Sequence, residues 1–234
     1  MSVSINPRAA KFLGLDQHLP PVDPLRLHRG ALMARFQAPP PWVPDIEVER
    51  LNEREASVEA AVLVPIVMRA QPTILLTQRT AHLKKHAGQI SFPGGRSEPS
   101  DASPIVTALR ETEEEVGLSR ERVQVIGQLP TYTTGTGFIV TPVVGLIEPG
   151  MDESAGLKLF PDPDEVAEAF EVPMSYLMNP QHHQRMGWPK ADQEQGYWEF
   201  FAMPWRPDST DTKEYFIWGA TAAMLRNFYR FLSA

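Results

Sequence analysis

Between Ser91 and Leu118 the chain reads SFPGGRSEPSDASPIVTALRETEEEVGL: a Gly-Gly pair, a Pro/Ser-rich loop, then a helix marked at both ends. Ser103 can cap it with Pro104 at the first helical position, and Gly117 can take the left-handed stop conformation. Those signals predict a helix over Ser103 to Gly117. At ~100° per residue, Ile105, Leu109, Thr112 and Val116 share roughly a third of the circumference and form an inward stripe. Glu111, Glu114 and Glu115 sit at i, i+3 and i+4 on another arc, while Glu113 points elsewhere. Like charges so placed cost about 0.2–0.5 kcal/mol per pair on an exposed helix, so the helix alone gains nothing from them. A hard divalent cation reverses that sign, because Mg²⁺ takes one or two carboxylates together with waters and phosphate oxygens. Arg110 precedes the cluster and can hold one carboxylate by a bidentate pair.

A run of glutamates alone is the sequence of many solvated helix faces; the joint pattern is more specific. Gly95, the loop length, Arg110, the three glutamates and Gly117 together resemble the Nudix box, G-x5-E-x7-R-E-U-x-E-E-x-G-U, where U is aliphatic. Three positions depart from it. Asp101 stands for the first Glu, eight residues rather than seven separate it from Arg110, and Thr112 fills an aliphatic place. A narrower resemblance lies just upstream. Ile74 to Gly95, ILLTQRTAHLKKHAGQISFPGG, is similar to the signature LLTxRSxxLxxHxGQxxFPGG of the coenzyme A diphosphatase branch, with Thr80 in place of Ser. The box of that branch also carries Asp with the longer spacing.

The resemblance implies an α/β fold: a Nudix-type α/β/α sandwich with a mixed β-sheet. It also implies Mg²⁺ or Mn²⁺ on Glu111, Glu114 and Glu115, with Arg110, Glu114 and Glu115 as the catalytic group. Arg79, His86, Gln89, Gly94 and Gly95 are the residues expected to grip substrate, with Lys84 and Lys85 more simply surface charges. A diphosphate repels nucleophiles, so its hydrolysis mostly needs charge neutralisation and positioning. The expected reaction splits coenzyme A or a derivative into 3′,5′-ADP and 4′-phosphopantetheine or its acyl form. ADP-ribose, dinucleoside polyphosphates or a nucleoside triphosphate are alternative substrates, and a Nudix module that senses a ligand without turnover is an alternative of another class. Glu165 is a further metal ligand or base on resemblance only.

Bulk properties narrow the partners. A formal net charge of −7 disfavours a nucleic-acid polymer, and the absence of cysteine removes disulfides, thiolate chemistry and Cys-based zinc sites. No apolar run approaches the ~18 residues of a membrane span, so a cytoplasmic protein with no membrane partner is expected; homodimerisation is left open.

Residues 1–54 are interrupted by prolines and read as a Pro-rich N-terminal arm, with residues 55–234 as the Nudix hydrolase domain. Asp23 and Pro24 start a short helix carrying Leu25, Leu32 and Phe36 on one side. Ala60 to Met68 and Thr73 to Gln78 read as adjacent strands, with Pro65 marking an edge or a bulge. Val123 to Leu129, Phe138 to Ile147, Leu157 to Phe160 and Tyr197 to Met203 are further strands. The acids from Asp162 to Glu168 read as the first turn of a helix, His182 and His183 as loop residues, and Gly219 to Leu232 as the closing helix.

Overall fold

The computed structural model describes residues 6–46, 58–82, 87–150, 157–190, 196–208 and 212–234. The expected boundary at residue 54 lies outside them, as do Lys84, Lys85 and His86. The N-terminal segment contributes strand β1 (Lys11–Leu15) and helix α1 (Arg29–Gln37). Asp23 does cap a turn at Pro24, but it is a 3₁₀ turn over Pro24–Arg26. The α-helix begins only after His28, whose ring accepts from Ala31 N. Leu25 therefore points to solvent, whereas Leu27 and Leu32 are buried.

The larger sheet comprises β2 (Val58–Val67), β3 (Thr73–Arg79), β4 (Ile90–Ser91), β5 (Gly94–Arg96), β6 (Val123–Gln128), β7 (Tyr132–Thr133), β8 (Phe138–Ile147) and β9 (Val166–Pro173). Its spine runs β4-β3-β2-β8-β6, with β5 beside β2, β7 beside β8 and β9 beside β3. β2 and β8 are parallel, Val58 opposite Phe138 through Val67 opposite Ile147, while the other pairs are antiparallel, so the sheet is mixed. Pro65 is neither on an edge strand nor at a bulge. On the flank away from β8, β2 pairs with β5 at Ala60–Val62 and with β3 at Ile66–Val67. Leu63 N still donates to Pro93 O (2.9 Å). Pro65, two residues on along that same edge, falls in the changeover where no donor is required.

Helix α2 (Pro104–Val116) covers one face of this sheet and helix α4 (Gly219–Ser233) the other, giving the expected α/β/α order. Strand alternation divides the side chains. Ala61, Leu63 and Val143 meet Ala108, Ile105 and Leu109 of α2, while Val64, Ile66, Ile74, Leu76 and Val144 join Leu225, Phe228 and Leu232 of α4 in the main core. Beyond the short helix α3 (Met174–Leu177), strands β10 (Gln184–Pro189), β11 (Tyr197–Trp205) and β12 (Tyr215–Trp218) form a second antiparallel sheet in the order β1-β10-β11-β12. Among the described residues, no helix is long and apolar enough to cross a membrane.

Two local expectations change. Leu157 to Phe160 form no strand; Phe160 N and Asp162 N instead donate to Val116 O and Glu115 O, closing the end of α2. The acids after Phe160 occupy a turn that leads into strand β9 and start no helix, because Asp162 Oδ1 and O accept from Asp164 N and Glu165 N. His182 ends a 3₁₀ turn over Pro180–His182 and His183 follows it in the loop before β10, as expected, but His183 is fully buried: Leu177 O and the Arg226 guanidinium contact its two ring nitrogens, and burial pushes its pKa down to about 4.

Candidate active site

Helix α2 forms as its ends predict. Ser103 Oγ accepts from Val106 N (3.4 Å), and Gly117 closes the helix at φ 67°. The arc that faces the sheet is shifted from the apolar pattern, however. Thr107, Ala108, Thr112, Glu115 and Val116 are buried, and Thr112 satisfies its hydroxyl by donating to Ala108 O (2.6 Å). The three glutamates therefore occupy a gradient of exposure. The side chain of Glu115 is 6% exposed, that of Glu111 19% and that of Glu114 60%.

The Gly-Gly pair at β5 permits this arrangement. At Gly94 (φ 149°) a Cβ would collide with the backbone of Ala61 and Val62, and at Gly95 it would stand inside the Glu111 carboxylate. With both side chains absent, β5 lies against β2 on one side and α2 on the other, and Gly94 N donates to Glu115 Oε2 (3.2 Å). Arg79, at the end of β3, reaches Glu115 Oε1 (3.4 Å) and approaches Glu165 Oε2 (3.6 Å). It also donates its backbone N–H to Gln89 O (2.9 Å), so the two residues expected to bind substrate hold each other across the loop.

A second set fixes Arg110. Asp101 accepts from its Nε (3.1 Å) and Nη2 (2.9 Å), the bidentate geometry expected of Arg with a carboxylate. Asp101 in turn accepts from Glu98 N and Thr107 Oγ1, and the Arg110 pair holds its pKa well below the usual carboxylate range. Arg110 Nη2 also donates to Arg96 O (3.1 Å), and Nη1 donates to Glu111 Oε1 (2.8 Å) and Glu114 Oε2 (3.1 Å). The Asp that departs from the general box is thus the anchor of the arginine. Glu113 points away, pairing with Arg120.

Electrostatics mark the cluster. Burial pushes Glu115 up to about 7, the Gly94 N–H and Arg79 only partly offsetting it, and Glu165 and Glu111 push in the same upward direction. Glu111 is also raised, first by burial, with Glu114 and Glu165 adding to the effect. Carboxylates that oppose one another's ionisation on a partly buried patch are hard oxygen donors suited to a divalent cation, which lowers the cost of holding them charged. Among the described residues, no three acid or histidine side chains already close into a cage, since Glu114 is turned to Arg110. Glu111 and Glu115, with Glu165 beside them, are the side chains that could hold a cation, whereas Glu114 faces Arg110. Glu165, expected on resemblance alone, stands beside the cluster, and Arg96 adds to the residues expected from sequence. The pairing of Arg79 with Val166 in the β3–β9 register brings Glu165 in, and Arg96 enters through its backbone oxygen.

Relatives carry the same domain. The NUDIX domain profile matches residues 58–190. The chain is 43% identical to "Uncharacterized Nudix hydrolase NudL" of Citrobacter koseri over 194 residues, 83% of this chain and 89% of that one. It is 42% identical to the protein of the same description from Escherichia coli, over the same shares. A crystal structure of a MutT/nudix family protein from Enterococcus faecalis aligns with a TM-score of 0.44 at 20% identity, covering 77% of this chain and 64% of that one. With α2 seated against the Gly-Gly strand and its acidic face lying within the matched span, the chain belongs to the Nudix family.

Proposed function

We propose that the protein hydrolyses the diphosphate bond of coenzyme A or an acyl derivative, giving 3′,5′-ADP and 4′-phosphopantetheine or its acyl form. The observation that carries the hydrolase reading is the buried Glu115, raised to about 7 and set between Gly94 N and Arg79 beside Glu111 and Glu165. The narrower substrate reading rests on the Ile74–Gly95 run and its similarity to the coenzyme A diphosphatase signature.

Glu111 and Glu115, with Glu114 or Glu165, would hold Mg²⁺ or Mn²⁺, which when bound neutralises diphosphate charge and acidifies water. The chain's own groups do the rest. Arg79 lies 25% exposed between Glu115 and Glu165, placing a guanidinium where a phosphate oxygen can compete for it. Arg110, anchored by Asp101, fixes the rotamers of Glu111 and Glu114 and is a positioning residue. The raised Glu115 carboxyl, or the exposed Glu114, accepts the proton of the attacking water. The water oxygen bonds to one phosphorus as the bridging P–O bond breaks, leaving two phosphomonoesters. The Gly94–Gly95 pair lets β5 lie close to β2 and to the Glu111 carboxylate, which keeps the acidic cluster compact.

The test is to incubate the pure protein with coenzyme A, ADP-ribose and ATP, with and without Mg²⁺, and resolve the products by chromatography. Mg²⁺-dependent release of 3′,5′-ADP from coenzyme A, faster than turnover of the others, is expected. Preferential cleavage of ADP-ribose would move the assignment to another nucleoside diphosphate derivative, and no cleavage of any of the three would overturn the hydrolase reading. Glu115→Gln should reduce kcat at least a hundredfold while changing KM little.

A further inference from the structure

We infer that the cavity between β11 and α4 takes the nucleoside end of the substrate, a planar base with an attached anionic group; this rests on the reading of the protein as a hydrolase of nucleoside diphosphate derivatives. The cavity measures about 460 Å³, within the roughly 300–1,000 Å³ typical of small-molecule sites. One wall is aromatic. Tyr197 and Phe201 project from the same face of β11, and Tyr132 lines the cavity from β7.

Its cations differ in their commitments. Arg226 is buried and bound to Asp16 (2.9 Å) and Asp45 (2.6 Å), and Arg230 also pairs with Asp45 (3.0 Å), which leaves that corner nearly neutral. Arg185, opposite Phe201 in the β10–β11 register, is about half exposed and comes only within 3.8 Å of Asp16, too far for a hydrogen bond. Lys190 rests on the Trp198 ring at 4.8 Å. Both can turn to an anion. Gly219, the first residue of α4, lines the same cavity, and Trp218 before it supplies no capping side-chain bond. Lys11 Nζ lies over one face of the Tyr197 ring (5.2 Å) and the Arg226 guanidinium over one face of Phe201 (5.0 Å). The partly exposed Tyr197 is therefore the ring on which a base can stack, with its phosphate on Arg185 and Lys190; a flexible aliphatic arm would use neither feature.

One row of the larger sheet connects the cavity's Tyr132 to Arg96, next to the Gly-Gly pair. Tyr132, Val140, Ala60 and Arg96 form one transverse row of the larger sheet through the pairs Tyr132–Val140, Val140–Ala60 and Ala60–Arg96. Three inter-strand steps span roughly 14 Å, comparable with the reach of a nucleoside diphosphate. Arg96 follows Gly95, and Arg110 holds its carbonyl. A diphosphate at Gly94–Gly95 can thus extend its nucleoside around the end of the sheet.

The test is calorimetric titration of AMP, and separately of ribose 5-phosphate, into the protein in EDTA, with kinetics on the substrate identified above. AMP should bind one to one and at least fivefold more tightly than ribose 5-phosphate. Tyr197→Ala should weaken AMP about tenfold, and the double change Arg185→Ala with Lys190→Ala by a similar factor. Each variant's melting temperature is measured alongside, and the solvent-exposed double variant keeps the test decisive if Tyr197→Ala misfolds. In turnover, both should raise KM and leave kcat unchanged. No AMP binding, or equal binding by wild type and the double variant, overturns the assignment, even in a protein that still hydrolyses a nucleoside diphosphate. Variant-sensitive AMP binding in a protein that hydrolyses nothing on the panel upholds the cavity and sinks the hydrolase reading.

Discussion

Glu115 illustrates how much one side chain is altered by its surroundings. Pushed from 4.5 to about 7 by burial, it holds a proton in the metal-free folded protein at pH values where the unfolded chain has released it. Between about 4.5 and 7 this group alone makes the metal-free protein less stable as pH rises. A cation held by Glu115, as proposed, would displace that proton, so Mn²⁺ affinity should fall about tenfold per unit below pH 7 and level off above it. Titration by electron paramagnetic resonance at pH 6, 7 and 8 checks this, and Glu115→Gln should abolish the step. The neighbouring glycines separate two other effects. Gly94→Ala sets a methyl against rigid backbone and should lower stability by about 1–3 kcal/mol in urea unfolding. Gly95→Ala meets only the end of the Glu111 side chain, so it should weaken Mn²⁺ binding while leaving the unfolding midpoint nearly unchanged.

At the scale of elements, α2 is a helix specified locally and aimed by its neighbours. Its cap is an ordinary one, and Ser103→Ala should cost about 1 kcal/mol of stability, read from the denaturant midpoint at unchanged m-value. The ends of this helix, the long strands β2, β3, β6 and β8 and the closing helix α4 were legible in the sequence because each depends on caps or on apolar periodicity. The burial of Glu115 was not, since a carboxylate counts as polar in any pattern and turns inward only because Gly94 N and Arg79 come from other strands to meet it. The turn at Asp162 misread for the same reason: acids that resemble a helix start are taken up by backbone donors of a turn that leads into β9.

Across the whole molecule, the N-terminal segment is joined to α4 by polar bonds as well as by packing. Asn227 Oδ1 accepts from Asp45 N (2.9 Å) and Ile46 N (3.2 Å), Tyr229 donates to Pro20 O (2.8 Å), and Arg226 binds Asp16 and Asp45. Removing a buried charge leaves its partners uncompensated. Arg226→Ala should therefore lower stability by about 3–5 kcal/mol in equilibrium unfolding, far more than the exposed-pair change Arg120→Ala, which loses an ion pair worth about 0–1 kcal/mol.

The sequence by itself determined the elements whose causes are local: the capped acidic helix, the Gly-Gly approach ahead of it, the alternating strands and the family that this pattern resembles. Tertiary structure alone decided which carboxylate is buried, that Asp101 anchors Arg110, that β1 completes a second sheet, and that an aromatic cavity opens beside α4. The physical reason is distance along the chain. Apart from the Asp101–Arg110 pair, which the loop ahead of α2 folds together, those outcomes need partners many residues away, and the charge, burial and hydrogen bonds they impose arise only when the fold brings them together.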